Sequence, residues 1–126
     1  MAQQISSLRI MVVDDNRDAA DLIAEFLQMC GHETLPVYGG AEAIHAADGF
    51  VPDVVLLDLG MPDVDGFDVI SAMRQKPQLM QTRMIALTAW GDAKTRARTA
   101  STGFDLHLVK PASLDEILNA LSVTPS

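Results

Sequence analysis

The chain has 126 residues, a formal net charge of −8 and a sequence pI of about 4.5. Its hydrophobic fraction of 48% and charged fraction of 21% are typical of a globular domain and disfavour disorder. The acidic balance disfavours direct nucleic-acid binding, which needs clustered Lys and Arg. No apolar run is long enough to span a membrane, and no signal-peptide pattern is present. Cys30 is the single cysteine, which excludes an internal disulfide, and we interpret it as a packing residue at a helix end. We therefore expect a cytoplasmic protein without membrane contact.

Ten elements follow from the spacing of apolar residues and from the Gly, Pro and capping residues between them. In chain order they are strand 8–13, helix 17–29, strand 33–37, helix 40–47, strand 54–57, helix 67–75, strand 84–87, helix 91–101, strand 104–109 and helix 114–121. Strict alternation predicts an α/β fold, a doubly wound, five-stranded parallel sheet flanked by five helices. We expect one domain over 1–126, with its core at about 8–122.

Local signals refine several of these elements. Asn16 is predicted to cap the first helix, and Ser113 with Glu116 forms a capping box before the last helix. Pro36 places strand 33–37 at a sheet edge. The unbroken apolar run 54–57 predicts a central strand that is buried on both faces.

Residues with functional side chains come at the ends of four predicted strands. Asp14 and Asp15 follow the first strand, Asp58 the third, Thr88 the fourth and Lys110 the fifth. Right-handed crossovers bring the carboxyl ends of parallel strands to one edge of the sheet, which is where open α/β sheets bind ligands. The sequence therefore predicts that these five side chains form one site.

Three carboxylates at one edge repel one another, by up to about 4 kcal/mol for a pair at about 4 Å and a dielectric near 20. Lys110 or a hard divalent cation would offset this repulsion. Oxygen ligands favour Mg²⁺, and the lack of nearby His and Cys disfavours zinc. With the charge neutralised, Asp58 could act as a nucleophile toward phosphorus, while Thr88 and Lys110 contact the phosphoryl oxygens.

The chain resembles the receiver domain of two-component response regulators, the CheY-like superfamily with its flavodoxin-like (βα)5 fold, from Leu8 to about Ser122. The motifs that carry the resemblance are Asp14-Asp15, Asp58, Met61-Pro62, Gly66, Thr88-Ala89 and Lys110-Pro111. Each motif is weak alone, but together they are highly specific.

The resemblance implies that Asp58 is the phosphoacceptor and that Asp14, Asp15 and the backbone carbonyl of Gly60 help to bind Mg²⁺. It also implies that Thr88 and Lys110 bind the phosphoryl group and that the peptide bond before Pro111 is usually cis. The donor would be a phosphohistidine on a histidine kinase or phosphotransfer domain. Such a protein is not an enzyme beyond assisting its own phosphorylation and dephosphorylation.

Two residues near the predicted site are unusual. The family has Tyr or Phe where this chain has His107, three positions before Lys110. His107 could act as a planar rotor, whose charge would make the output pH-dependent near a pKa of about 6.5, or as a half-buried structural residue. Trp90 is interpreted as a screen that protects the acyl phosphate from water. His32 and His45 are expected at the surface.

The predicted helix 91–101 has only Ala93, Ala97 and Ala100 as apolar residues, which bury little area and suggest weak anchoring. Lys94, Arg96 and Arg98 make it basic, either as a solvated face or as a patch for an acidic partner. In the family, the 91–122 surface is the usual output surface, and the resemblance leaves a homodimer open.

Three other functions remain as alternatives. Asp63-Val64-Asp65-Gly66 superficially matches the motif of haloacid dehalogenase-type phosphatases, although Gly-Met-Pro separates it from its strand. A flavodoxin-like FMN carrier would need a phosphate-binding loop where this chain has acidic residues. A phosphate-independent adaptor is disfavoured because every phosphorylation residue is present. The chain is expected to be a stand-alone receiver or the receiver piece of a hybrid kinase.

Overall fold

A computed structural model describes residues 7–61, 65–89 and 91–122. The strands are β1 (Arg9–Val13), β2 (Glu33–Val37), β3 (Val54–Asp58), β4 (Arg83–Thr88) and β5 (Leu106–Val109). The helices are α1 (Arg17–Met29), α2 (Gly40–Phe50), α3 (Gly66–Arg74), α4 (Ala93–Thr102) and α5 (Leu114–Ser122), with a short 3-10 turn at Pro77–Leu79. All ten predicted elements are present, in the predicted order.

The five strands form one parallel sheet in the order β2-β1-β3-β4-β5. β3 is central, and all five of its residues are buried, as its continuous apolar run predicts. β2 lies at an edge, where Pro36 needs no hydrogen-bonding partner on its outer side. The predicted α/β fold class is confirmed.

Two apolar clusters cover the two faces of the sheet. Along β1, Ile10 and Val12 pack against α1 and α5, whereas Met11 and Val13 pack on the side of α2 and α3. This alternation is the period of two expected for a strand whose faces are both covered. The sheet is therefore the middle layer of a three-layer arrangement.

Tertiary contacts move some boundaries away from their predicted positions. α2 continues to Phe50, three residues beyond the prediction, because Phe50 packs against the core and its carbonyl accepts a hydrogen bond from Arg9 Nε at 2.7 Å. β5 begins at Leu106 because Phe104 is a buried core residue that meets Phe67 edge to face, with ring centroids 6.2 Å apart. Neither contact has a signal in the local sequence.

Two predictions about single residues are wrong. Cys30 is exposed, because α1 ends at Met29 and Cys30 lies in the turn before Gly31, whose φ is 101°. His32 is buried at 8% exposure, because its Nδ1 accepts a hydrogen bond from the backbone N–H of Leu8 at 3.1 Å. Burial lowers the pKa of His32. His45 is exposed, as predicted.

Candidate functional site

Asp14, Asp15 and Asp58 meet at the carboxyl edge of the sheet. Each offers a carboxylate oxygen, and these oxygens all lie within 4.8 Å of one another. Asp14 and Asp58 are each only 4% exposed, while Asp15 is exposed. The topology therefore brings together the three carboxylates that the sequence predicts to share a site.

The start of α1 fixes the carboxylate of Asp14. The backbone N–H of Asp14 donates to the carbonyl of Val37 at 3.0 Å, which extends the β1–β2 pairing by one residue. The backbone N–H of Asn16 then donates to Asp14 Oδ1 at 3.0 Å, and the Asn16 side chain accepts from the N–H of Ala19 at 3.1 Å. The predicted N-cap thus also orients the first carboxylate of the site.

The carboxylate of Asp58 is held from two sides. Its Oδ1 accepts from the backbone N–H of Gly60 at 2.9 Å and from Lys110 Nζ at 2.8 Å. Lys110 Nζ also lies 3.8 Å from Asp14 Oδ2. The backbone N–H of Lys110 donates to the carbonyl of Thr88 at 2.7 Å, which fixes the start of the loop after β5. The Lys110–Pro111 peptide bond is cis, as the resemblance implies.

Burial is the largest cause of the raised pKa of Asp14, which is about 6. Repulsion by Asp58 raises this pKa further, while the N–H of Asn16 and the charge of Lys110 oppose the shift. A divalent cation would relieve both the burial cost and the repulsion. The donor set, three carboxylates close together, fits the oxygen coordination that Mg²⁺ prefers.

Thr88 and Gly60 lie where the sequence places them. Thr88 is the buried last residue of β4, and the residue before it, Leu87, pairs with Asp58. Thr88 therefore reaches the same edge as the carboxylates. Gly60 is exposed and donates its N–H to Asp58, while the metal-binding role of its carbonyl stays a prediction.

His107 lies within β5, opposite Ala86, and below the edge of the sheet. It is half-buried, and its Nδ1 lies 3.0 Å from Thr99 Oγ1 of α4. The half-buried position matches the second of the two interpretations of this residue. The rotor interpretation stays a prediction.

Some predicted features lie outside the described residues. Trp90 and the segment 62–64 are among them, so the screening role of Trp90 stays a prediction, as do the roles of Pro62 and Asp63. Asp65 is described and is the N-cap of α3, where its Oδ1 accepts from the N–H of Phe67 at 2.9 Å. This places Asp65 at a helix start and not at a strand end, unlike the phosphatase motif.

A cavity of about 230 Å³ beside the carboxylates has no counterpart in the sequence predictions. Asp14 and Lys110 form its polar side, and Ala19, Ile23 and Ile117 contribute apolar surface from α1 and α5. The spacing of Ala19 and Ile23, one helical turn apart, is a signal in the sequence that could have indicated this face.

A larger cavity of about 360 Å³ is lined by Arg74 and Arg83, away from the carboxylates. Both guanidinium groups already donate to backbone carbonyls, Arg74 to Thr82 at 2.7 Å and Arg83 to Leu121 at 2.6 Å. These contacts give the two arginines a structural role at this cavity.

The parallel sheet and the acidic site at its carboxyl edge define a class of protein. Comparison of the sequence with known protein families identifies that class. The family model of the response regulator receiver domain matches residues 10–122, and the chain belongs to this family. The recognition of the family from the sequence is confirmed.

Individual relatives agree with this assignment. The chain is 38% identical over 122 residues to the transcriptional regulatory protein TcrA of Mycobacterium tuberculosis, covering 94% of this chain and 47% of TcrA. It is 31% identical over 110 residues to the DNA-binding dual master transcriptional regulator RpaA of Synechocystis, covering 87% and 46%. The chain thus spans about half the length of these curated relatives.

Among solved structures, the chemotaxis response regulator CheY4 of Vibrio cholerae superposes with a TM-score of 0.86 at 27% identity. The match covers 92% of this chain and 97% of CheY4. Within the described part of the chain, no helix has the length and apolar character needed to cross a bilayer.

Proposed function

We propose that this receiver domain accepts a phosphoryl group on Asp58 from a phosphohistidine of a histidine kinase or histidine phosphotransfer domain. The observation that carries the proposal is the position of Asp58. Its buried carboxylate lies 2.8 Å from Lys110 Nζ and within 4.8 Å of oxygens from Asp14 and Asp15. A nucleophilic carboxylate with an adjacent cation and a nearby cation-binding set is suited to aspartyl-phosphate chemistry.

In the proposed step, an oxygen of Asp58 attacks the phosphorus of the phosphohistidine. The new P–O bond forms as the P–N bond breaks, and the departing imidazole takes up a proton. Oδ1 of Asp58 accepts the hydrogen bonds from the Gly60 N–H and from Lys110 Nζ. Because these donors occupy Oδ1, Oδ2 is favoured as the attacking atom. Lys110 and the hydroxyl of Thr88 then bind phosphoryl oxygens.

Asp14, Asp15, Asp58 and the backbone carbonyl of Gly60 would hold Mg²⁺. When bound, the ion supplies positive charge to the carboxylates and to the phosphoryl oxygens. The remaining positive charge comes from Lys110, whose side chain is 38% exposed and can move from Asp58 toward a phosphoryl oxygen.

The proposed output is a conformational change read by a partner at the 91–122 surface or by a second copy of the domain. The proposal places the domain in the cytoplasm, where ATP-dependent kinases act. Binding of DNA is not assigned to this domain, whose net charge is −8. The transcriptional roles named for TcrA and RpaA belong to chains about twice as long.

The test is intact-protein mass after incubation with Mg²⁺ and acetyl phosphate, compared with the same reaction in EDTA and with Asp58→Asn. We expect one phosphoryl group per chain, lost in EDTA and in the variant. A phosphorylated histidine phosphotransfer domain serves as a second donor. No transfer from either donor would contradict the proposal and favour a phosphate-independent adaptor, and multiple turnover of p-nitrophenyl phosphate would favour a phosphatase.

A further inference from the structure

Helix α4 has no apolar face buried against the fold. The three alanines predicted to anchor it, Ala93, Ala97 and Ala100, are all exposed. Within Ala93–Thr102 the only buried residue is Thr99, at 2% exposure. By contrast, α1 buries two alanines and a leucine in the core. Apolar burial therefore contributes little to the attachment of α4.

Thr99 connects α4 to the sheet through a hydrogen bond. Its hydroxyl donates to the carbonyl of Arg96 at 2.9 Å, and its Oγ1 lies 3.0 Å from His107 Nδ1. A hydroxyl has one proton, so satisfying both contacts requires that His107 Nδ1–H donates to Thr99. Nδ1 carries a proton in this neutral tautomer and in the imidazolium ion. The bond is therefore compatible with both charge states of His107.

Arg98 connects α4 to the first turn of α3. Its guanidinium carbon lies 3.9 Å from the centroid of the Phe67 ring, and its Nη2 lies 3.5 Å from Asp65 Oδ2. The side chains of Arg98 and Asp65 are 60% and 44% exposed, so water screens the ion pair. Arg98 is thus a second attachment of α4, and a more exposed one than Thr99.

We propose that α4 opens from the fold as a unit, held in place by the Thr99–His107 hydrogen bond and by the contacts of Arg98 with α3, while the sheet remains folded. Elements that bury little apolar surface open at free energies well below that of global unfolding. β3 has all five residues buried and is expected to open only at a much higher free energy than α4. The inference does not depend on phosphorylation.

Native-state hydrogen exchange at low urea concentrations tests the proposal. We expect the amides of α4 to share one opening free energy and one urea dependence, both smaller than those of β3 amides. Exchange of α4 with the protection and urea dependence of β3 would show that α4 opens only on global unfolding. Unrelated, urea-independent rates along α4 would show fraying of single residues. Either result would overturn the proposal.

Variants separate the two attachments. Thr99→Val is expected to speed exchange throughout α4 by about tenfold, because it removes the acceptor of the His107 bond. Thr99→Ser keeps the hydroxyl but loses one buried methyl group, and it is expected to speed exchange less than Thr99→Val. Arg98→Met is expected to speed exchange by about threefold. Lys94→Met, at an exposed position of the same helix, is the matched control. An unchanged rate in Thr99→Val, or an equal increase in Lys94→Met, would contradict the proposed role of Thr99.

Discussion

The carboxylate of Asp14 is buried beside that of Asp58, and burial is the main reason that its pKa is about 6. The negative charge gathered at this site therefore destabilises the folded protein when no cation is bound. Lys110, 3.8 Å from Asp14 Oδ2, offsets only part of this charge. Stability and the proposed cation binding should consequently oppose each other at this residue.

Asp14→Asn should stabilise the protein in EDTA by about 1 to 2 kcal/mol near pH 7.5, because Asn keeps an acceptor for the N–H of Asn16 and removes the buried charge. The gain should shrink near pH 5, where the native Asp14 is already protonated. In millimolar Mg²⁺ the order should reverse, since the native protein gains binding energy that the variant lacks. Urea unfolding measures the free energy of unfolding of both proteins in EDTA near pH 7.5, in EDTA near pH 5 and in Mg²⁺. A variant less stable than the native protein in EDTA would contradict this expectation.

His32 provides a second titrating group, with the opposite pH dependence. Its pKa is lowered by burial, so the unfolded chain, with a His pKa of about 6.5, binds a proton more readily than the native state. The contribution of His32 to stability is therefore complete above about pH 6.5 and is lost as the pH falls below that value. Protonation of Nδ1 would also remove the acceptor for the N–H of Leu8.

Between about pH 7.5 and pH 5.5, the free energy of unfolding of the native protein should consequently decrease relative to that of His32→Gln. His45→Gln, at an exposed position of α2, serves as the control and should keep the native slope. Equal slopes for His32→Gln and the native protein would show that burial of His32 has no effect on its titration.

Among the helices, α2 ends in an unfavourable backbone conformation. Val51, its C-cap, has φ 47° and ψ 73°, in the left-handed region that β-branched residues rarely adopt. Val51→Gly should raise the free energy of unfolding by about 0.5 to 1 kcal/mol, because relief of this strain exceeds the added backbone entropy of the unfolded chain. Val51→Ala keeps a Cβ atom in the same left-handed region, so its free energy of unfolding should rise by less. Thermal or urea unfolding measures these stabilities. If Val51→Gly is less stable than the native protein, the Val51 side chain stabilises the fold by more than its backbone strain destabilises it.

Features of the elements that depend on neighbours in sequence were predictable. The bounds of α1, the Asn16 cap and the reciprocal bonds of Ser113 with Glu116, at 2.9 and 3.1 Å, match their predictions because each involves residues within one helical turn. The end of α2 was not predictable, since it depends on the packing of Phe50 against residues far away in sequence.

At the scale of the whole molecule, the site was predictable because topology determines it. Alternating strands and helices give parallel strands, and parallel strands place Asp14, Asp58, Thr88 and Lys110 at one edge whatever the details of packing. The contact of His107 with Thr99 and the burial of His32 depend on side-chain geometry between distant segments. Periodicity carries no information about such contacts, and these are the points at which the sequence predictions were incomplete or wrong.

The central claim is that Asp58 carries the phosphoryl group, and mapping the acyl phosphate tests it most directly. After reaction with Mg²⁺ and acetyl phosphate, borohydride reduces an aspartyl phosphate to homoserine, which peptide mass spectrometry locates. We expect homoserine at position 58 alone, and none when Mg²⁺ is omitted. Homoserine at position 14 or 15, or a phosphoryl group that borohydride does not remove, would contradict the assignment of Asp58 as the phosphoacceptor.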